Sequence, residues 1–541
     1  MCKKIFIGLN LLGSLLLGGC GSSPMPLNAE SADCSTAESG DCLMPDFIKA
    51  DVGFSQDKLA QLRPSSEPTD RENYAHFDDN PIKRVSEHPV STFSIDVDTG
   101  AYANVRRIIN NGQLPQHDAV RVEEMINYFA YDYPLPDSFD PPFKVTTEIA
   151  PSPWNKKTHL LHIGIKGYDI PKDKLPPANL VFLVDVSGSM QSPDKLDLLK
   201  TALKLLSQQL TEKDKVSLVV YAGAAGLVLE PTPGNEKATI NAALERLMAG
   251  GSTHGSAGIQ LAYATAEQAF IKDGINRILL ATDGDFNVGT VNFEALKNLI
   301  EEKRKTGISL TTLGFGTGNY NDQLMEQLAD AGNGNYAYID TLNEAQKVLV
   351  DEMSSTLQTI AKDVKIQIEF NPMTVAEYRL IGYENRLLRR EDFSNDKIDA
   401  GEIGAGHTVT ALYEIALVGS GAERLENLRY GDTEAAEGQR RSELAFLRLR
   451  YKVPDGDTSK LLEWSLMRQD VIETVDNTSE HFRFSAAVAA FGQQLRGGTY
   501  LDNFSYNDIL SLARGARGDD PYGYRGEFIK LVNLTKSFIV K

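Results

Sequence analysis

The sequence predicts an α/β protein. A doubly wound, mostly parallel sheet is inserted in, or flanked by, an antiparallel β-sandwich, and a C-terminal helical region follows. Three observations predict this. Between Pro176-Pro177 and about residue 360, short apolar runs alternate with amphipathic helical patterns, the texture of a sheet covered by helices on both faces. On either side of that stretch, strands alternate apolar and polar residues, as antiparallel strands with one wet face do. Beyond Phe482 the period becomes helical.

In chain order, Lys3 and Lys4 form a positive N-terminal region, and Ile5–Leu17 is an apolar run too short to span a bilayer as a helix. Leu17-Gly18-Gly19-Cys20 then resembles the lipobox of bacterial lipoproteins. The alternative is an ordinary signal peptide that happens to precede a cysteine. The resemblance implies that residues 1–19 are a signal peptide, that Cys20 becomes the lipidated first residue, and that the chain is anchored to a membrane. With Gly21 in place of Asp, it further implies the outer membrane of a Gram-negative bacterium, with the body in the periplasm or at the surface. Of four cysteines, Cys2 leaves with the signal and Cys20 takes the lipid. Cys34 and Cys42 remain, and a disulfide between them is the natural pairing in an oxidising compartment. Residues 20–87 are rich in Ser, Pro, Asp and Glu and read as a flexible tether, with one helical pattern at Gln56–Leu62.

Residues 88–176 read as an α+β segment contributing sandwich strands. Thr92–Asp98 alternates as a strand, Thr99 is placed to cap a helix over Ala103–Ile109, and Val120–Phe129 patterns as a second amphipathic helix. Asp96-x-Asp98-x-Gly100 lacks the remainder of a calcium loop and reads as turn chemistry. Phe143–Ile149 and Leu161–Ile165 are alternating strands. Within 177–360, strands are expected at 179–185, 215–222, 276–282, 308–315 and 335–339. Helices are expected at 194–210, 236–248, 256–271, 292–306 and 320–331, with a last one at 342–360; Gly226–Leu229 suits an antiparallel edge. Residues 361–460 return to alternating strands at 364–370, 409–417 and 447–453. These are read as completing the sandwich begun before Pro176, two separate β domains being the alternative. Residues 461–541 are expected to be helical, at 484–495, 509–513 and 528–540.

Composition narrows the function classes. With 42% hydrophobic and 24% charged residues over 541 positions, the chain has the makings of packed domains. A net charge of −19 argues against electrostatic binding to nucleic acid or to an anionic membrane surface. Arg386, Arg389 and Arg390 are read as a solvated face.

Candidate chemistry gathers where the first buried strand ends. Asp185, Ser187 and Ser189 alternate after the run Asn179–Val184, and in open α/β sheets ligands bind beyond the carboxyl ends of strands. Two readings stand: a cap for the following helix, or a hard all-oxygen site suited to Mg²⁺. Thr253 lies in the Gly250–Gly255 loop before a helix, and Asp283 follows the run Ile278–Thr282. Asp-x-Ser-x-Ser, a loop Thr and Thr-Asp-Gly in this order resemble the von Willebrand factor A domain and its metal-ion-dependent adhesion site, over about residues 178–360. By that resemblance Ser187 and Ser189 ligate the metal directly, Thr253 directly or through water, and Asp185 and Asp283 directly or through water. The ion implied is Mg²⁺, with Mn²⁺ or Ca²⁺ as alternatives, and one position is open to a carboxylate of a protein partner. Asp285 and Asn287 are read as rim residues and His254 as a surface histidine.

Other motifs do not compete. Gly314–Asn319 mimics a dinucleotide fingerprint without the third glycine's spacing and reads as another rim loop, so no nucleotide is expected. There is no Walker A sequence and no Gly-x-Ser-x-Gly at the serines. The eight histidines form no metal-spaced pair on one helix. Phe93–Thr99, Arg121–Phe129 and Pro151–Asn155 resemble the N-terminal segment of YfbK-type bacterial A-domain lipoproteins, and the region from Ala361 resembles that family's trailing domain. The expectation is a membrane-anchored, Mg²⁺-dependent binding or scaffold protein rather than an enzyme. The alternatives are a metal-dependent hydrolase using Asp285 or His254 as base, and a structural envelope-assembly factor with an inert metal.

Overall fold

The structure is a computed structural model that describes residues 72–539 apart from 96–97, 252–254, 285–292, 399, 427–441 and 455. Cys20, Cys34, Cys42 and the Gln56–Leu62 pattern lie outside the described residues.

The α/β unit is built on β5 (Ala178–Asp185), β6 (Lys215–Tyr221), β7 (Ala225–Pro233), β8 (Ile275–Thr282), β9 (Ser309–Phe315) and β10 (Tyr336–Ile339). They form one sheet in the order β10-β9-β8-β5-β6-β7, parallel except for β7, the antiparallel edge foreseen at Gly226–Leu229. All eight residues of β5 and of β8 are buried, because helices cover both faces and leave no wet side to alternate toward. Leu180, Phe182 and Val184 join one core, and Val181 and Leu183 the other. The chain winds from β5 toward β7, then returns to β8 and winds the other way, so the strand order reverses between β5 and β8. That switch point is where a crevice opens in such sheets.

The sandwich takes strands from both sides of this unit. One sheet holds β3 (Phe143–Pro151), β4 (His159–Gly167), β12 (Val375–Ile381) and β14 (Thr408–Leu417), with β1 (Lys83–Arg84) at its edge. In the other, β11 (Thr359–Phe370) lies between β2 (Val90–Ser94) and β15 (Glu443–Lys452), with β13 (Ile403–Gly404) and β16 (Lys460–Met467) completing it. Pairing of β4 with β14 (Ile163 to Ala411) and of β2 with β11 (Phe93 to Ile366) makes this one sandwich interrupted by the α/β unit. Its interior is apolar, with Phe93, Ile163, Ile165, Ile366, Ile368 and Leu447 each at most 1% exposed. Each such side chain contributes about 1.5–3 kcal/mol by leaving water.

Several expectations need correction. The outer face of the β3–β4 sheet is not wet: Leu160 and Leu412 pack beneath a helical layer that includes Val122, Met125 and Phe484. That layer comprises α1 (Gly100–Asn110), α2 (Val122–Asn127) and the C-terminal α10 (Glu480–Leu495), α11 (Tyr506–Arg514) and α12 (Tyr524–Ile539). Helix α2 is shorter than 120–129 and buried at all six positions, so it is not amphipathic. Glu124 is accommodated there because its carboxylate accepts the Ala101 N–H at 2.8 Å and pairs with Arg121 at 3.4 Å. Thr99 stands at the N-cap of α1, but its side chain makes no capping bond. β16 occupies the start of the stretch expected to be helical, and β12 was not anticipated.

Among the described residues, six helices or helical segments surround the α/β sheet: α3 (Leu198–Gln209), α4 (Lys237–Glu245), α5 (Gly255–Gln268), α6 (Phe293–Arg304), α7 (Asp322–Ala331) and a final, broken one. The helix expected over 342–360 is split into α8 (Leu342–Gln346), a wide turn Lys347–Asp351 and α9 (Met353–Leu357). In the wide turn the Glu352 N–H reaches the Lys347 carbonyl at 2.8 Å, five residues back rather than four. Arg386 is not a solvated group: it bonds Glu326 and Asp330 of α7, each at 2.7 Å, whereas Arg389 and Arg390 are exposed.

Candidate metal centre

The carboxyl ends of β5 and β8 bring Asp185 and Asp283 to the switch point, both with no solvent exposure. Asp185 is held from two sides. Its Oδ1 accepts the Ser187 N–H at 2.8 Å, and its Oδ2 accepts the Thr282 hydroxyl at 2.9 Å and the Tyr221 hydroxyl at 3.3 Å. Burial pushes the Asp185 carboxyl up to about 6; the Ser187 bonds oppose this and the Asp283 charge adds to it. The helix-cap reading of Ser187 and Ser189 fails: Ser187 makes no side-chain cap bond to the turn Gly188–Gln191, Ser189 lies inside that turn, and the N-cap position before Pro193 belongs to Ser192.

Instead Ser187 Oγ and Ser189 Oγ lie 3.0 Å apart. Two neighbouring corners of an Mg²⁺ octahedron with bonds near 2.1 Å are also separated by about 3.0 Å. The donor groups on Asp185, Ser187, Ser189 and Asp283 are all oxygens, with no thiol or imidazole among them, which suits a hard divalent cation. These residues therefore fit such an ion. Backbone bonds fix the loop that carries the serines: Val186 N–H to Tyr221 O at 3.0 Å, Gly188 N–H to Gly251 O at 3.0 Å, and Gly250 N–H to Val186 O at 2.8 Å. The last two tie it to the glycines preceding Thr253. Thr253 itself lies outside the described residues, as do His254, Asp285 and Asn287.

Two residues join the centre that the motifs did not disclose. The first turn after the serines, Pro193–Asp197, is again five-residue spaced, with the Leu198 N–H reaching the Pro193 carbonyl. It carries Lys195, only 6% exposed, whose ammonium donates to Asp283 Oδ2 and to Asn319 Oδ1, each at 2.9 Å. Asn319 Nδ2 donates to the same Asp283 oxygen at 3.2 Å. The lysine stem crosses Gly316, where a Cβ would come within 2.3 Å of it and where φ is +77°. The Gly314–Asn319 loop is thus a rim, as expected, and also a passage for a buried cation. Its far side is fastened by Glu72, which accepts the Gly318 N–H at 3.0 Å and pairs with Arg107 at 2.7 Å. An ammonium buried beside the centre could have been suspected from Lys195 standing ten residues after Asp185, but the widened turn that aims it has no sequence signal.

This fold and this constellation define a protein with a von Willebrand factor type A domain. The family of that name matches residues 179–352, a second von Willebrand factor family matches 68–162, and the family described as "Uncharacterized protein YfbK, C-terminal" matches 355–538. Uncharacterized protein YfbK of Escherichia coli (strain K12) is 51% identical over 468 residues, covering 85% of this chain and 80% of that one. The chain belongs to the YfbK family. Human inter-alpha-trypsin inhibitor heavy chain H4 is similar over part of the chain, 30% identical over 148 residues, covering 26% of this chain and 16% of its own. Among solved structures, the von Willebrand factor type A protein from Catenulispora acidiphila overlaps 73% of this chain and 91% of its own, with 16% identity and a TM-score of 0.38. Domains of this type generally mediate protein–protein interactions and typically hold a divalent metal at the adhesion site. Among the described residues, no helix is long and apolar enough to cross a membrane.

Proposed function

We propose that this protein is a lipid-anchored binding or scaffold protein of the cell envelope. Its A domain holds Mg²⁺ on Asp185, Ser187, Ser189, Thr253 and Asp283 and captures an acidic side chain of a protein partner. The observation that carries the reading is the oxygen-only constellation at the switch point, with its two serine hydroxyls at the spacing of adjacent Mg²⁺ corners. Bound there, the metal supplies an electrophilic position for a carboxylate. The chain's own residues do the rest: Asp185 is locked by Ser187, Thr282 and Tyr221, and Asp283 is partly neutralised by Lys195. Partial neutralisation of one of two carboxylates leaves the loaded centre more positive, which favours an anionic ligand over a neutral one. Cys20 as lipid attachment point and the tether of residues 20–87 would hold the domain off the membrane, Cys34–Cys42 closing a small loop within that tether.

The test is recovery of partners from envelope extract on the full chain in Mg²⁺, in EDTA, and with Asp185→Ala. Partners retained only by the wild-type chain in Mg²⁺ support the reading. The same partners held in EDTA and by the variant overturn it in favour of a scaffold with an inert metal. Metal-dependent turnover of a phosphoester or peptide would instead move the protein to the hydrolases.

A further inference from the structure

A second set of metal-ligating side chains lies away from the adhesion-type centre. His76 sits in the segment that leads into β1, and His117 and Asp118 open the short turn His117–Ala119 between α1 and α2. Some forty positions separate them in sequence, so no spacing rule joins them. In the fold both imidazoles turn the same nitrogen to the same oxygen: Asp118 Oδ1 is 2.7 Å from His76 Nδ1 and 3.2 Å from His117 Nδ1. The ligand atoms of the three residues all lie within 4.8 Å of one another.

We propose that His76, His117 and Asp118 form a surface site for a borderline divalent ion, Zn²⁺ foremost. Three features carry this. Two imidazoles and one carboxylate are the donor set of an open zinc site, with water completing the tetrahedron. Mg²⁺, which seeks oxygens, is not expected there. Zinc bonds of 2.0–2.1 Å place tetrahedral ligands about 3.3 Å apart; the nitrogen-to-oxygen separations of 2.7 and 3.2 Å stand close to that, and ring rotation has to bring the two imidazoles in from a separation of at most 4.8 Å. Exposure leaves the rings free to make it, His76 at 66% and His117 at 42%. Finally, the other nitrogen of His76 faces a second carboxylate, with Asp78 Oδ1 at 3.6 Å from Nε2. At that distance Asp78 leaves the ring free to turn and adds negative charge beside it, which favours a bound cation.

A bound ion would clip the segment Glu72–Asn80 to the α1–α2 connection. That segment also carries Glu72 and Asn73, which fasten the loop beside Asp283. The clip would therefore act where the segment preceding the body is secured.

The experiment is calorimetric Zn²⁺ titration of the full chain, with a chelating-dye competition as second readout. It is run on the wild type, on His76→Ala/His117→Ala, on Asp78→Asn, and on Asp185→Ala to separate this site from the switch-point centre. One equivalent of Zn²⁺ should bind to the wild type and to Asp185→Ala, undisturbed by millimolar Mg²⁺. Affinity should fall by at least about 100-fold in the double variant and by less than about 10-fold in Asp78→Asn. His76, Asp78 and His117 are exposed, so thermal melts of the variants at those positions in chelator should match the wild type and confirm that folding is intact. Undiminished zinc stoichiometry and affinity in the double variant, or no zinc bound by the wild type at tens of micromolar, overturns the site. Zinc lost only with Asp185→Ala assigns it to the other centre and also overturns it.

Discussion

Lys195 should act as a resident counter-charge at the metal centre, and replacing it with methionine should have opposite consequences without and with Mg²⁺. The ammonium lies 2.9 Å from Asp283 Oδ2, with the lysine side chain 7% and the aspartate 0% exposed. At an effective dielectric of about 20, the gross attraction of such a pair is about 6 kcal/mol. Desolvation offsets part of that, and removing one partner of a buried pair typically costs about 3–5 kcal/mol because the other charge is stranded. In EDTA, Lys195→Met takes the ammonium from Asp283 while the Asn319 amide still donates to it at 3.2 Å, so the A domain should lose about 3 kcal/mol. For a unit of its size that corresponds to roughly 6–12 °C in midpoint. Mg²⁺ supplies the missing positive charge and should restore much of the loss, so the Mg²⁺-induced rise in midpoint should be larger in the variant than in the wild type. The same coupling should tighten Mg²⁺ binding at least about tenfold, or 1.4 kcal/mol. Differential scanning calorimetry in EDTA and in Mg²⁺ gives the first pair of numbers, and isothermal titration the second. A variant as stable as the wild type in EDTA, or one whose Mg²⁺ response is no larger, would refute the reasoning.

Gly316→Ala should reproduce the Lys195→Met pattern, because its methyl would occupy the space of the lysine stem; a variant melting like the wild type in EDTA would show that the stem can be rerouted. In the metal-free protein the Asp185 carboxyl is raised to about 6. The folded state then binds more protons than the unfolded one between about pH 4 and 6, and stability should fall by up to about 3 kcal/mol as pH rises through that window. Urea melts in EDTA should show this slope in the wild type and not in Asp185→Asn, while Mg²⁺ affinity should weaken about tenfold per pH unit below 6. His162, buried against the Tyr133 hydroxyl at 2.9 Å, is lowered by burial to about 3. It is neutral when folded and protonates when unfolded, so its contribution is complete above about pH 6.5 and is lost as pH falls toward 3, at up to about 1.4 kcal/mol per pH unit. His162→Gln should flatten that acid limb in denaturation curves. Arg106→Met should cost about 3–5 kcal/mol by stranding buried Asp340 and Glu344; a loss under 1 kcal/mol by chemical denaturation would show that water reaches them.

What could be read from the sequence was what is written locally. The runs that became β5 and β8 are apolar without interruption because helices cover both sides, and Asp185, Ser187, Ser189 and Asp283 announce themselves by following such runs. What stayed hidden depends on distant partners. β12 alternates through Glu377-Tyr378-Arg379-Leu380, but the burial of its polar side depends on a distant partner: Arg379 is matched by Gln493 at 2.7 Å, from a helix more than a hundred residues away. The break in the final helix cannot be read from Lys347. It coincides with two distant or later contacts of that ammonium, the Tyr128 ring at 4.4 Å and the Glu352 carboxylate at 2.8 Å. Lys195 falls within the helix expected over 194–210, where its side-chain direction is not written. Only the widened turn and the bare backbone at Gly316 send it inward.

The pairing of β4 with β14 also has a history in time. The hairpin β3–β4 emerges first, yet its neighbour β14 follows only after about 240 further residues, some 10–50 s at typical elongation rates. Left open for that interval, the edge of β4 offers a row of unpaired amides to any passing strand. The inserted unit shortens the search. Ile275 at the start of β8 bonds the Pro177 carbonyl where the chain goes in, and Arg277 two residues later bonds the Leu357 carbonyl where it comes out. Once that unit has folded, what was a very long loop becomes a short span between neighbouring points, and the entropy of closing it is largely spent beforehand. An insert that folds first thereby lowers the cost of closing the frame that holds it.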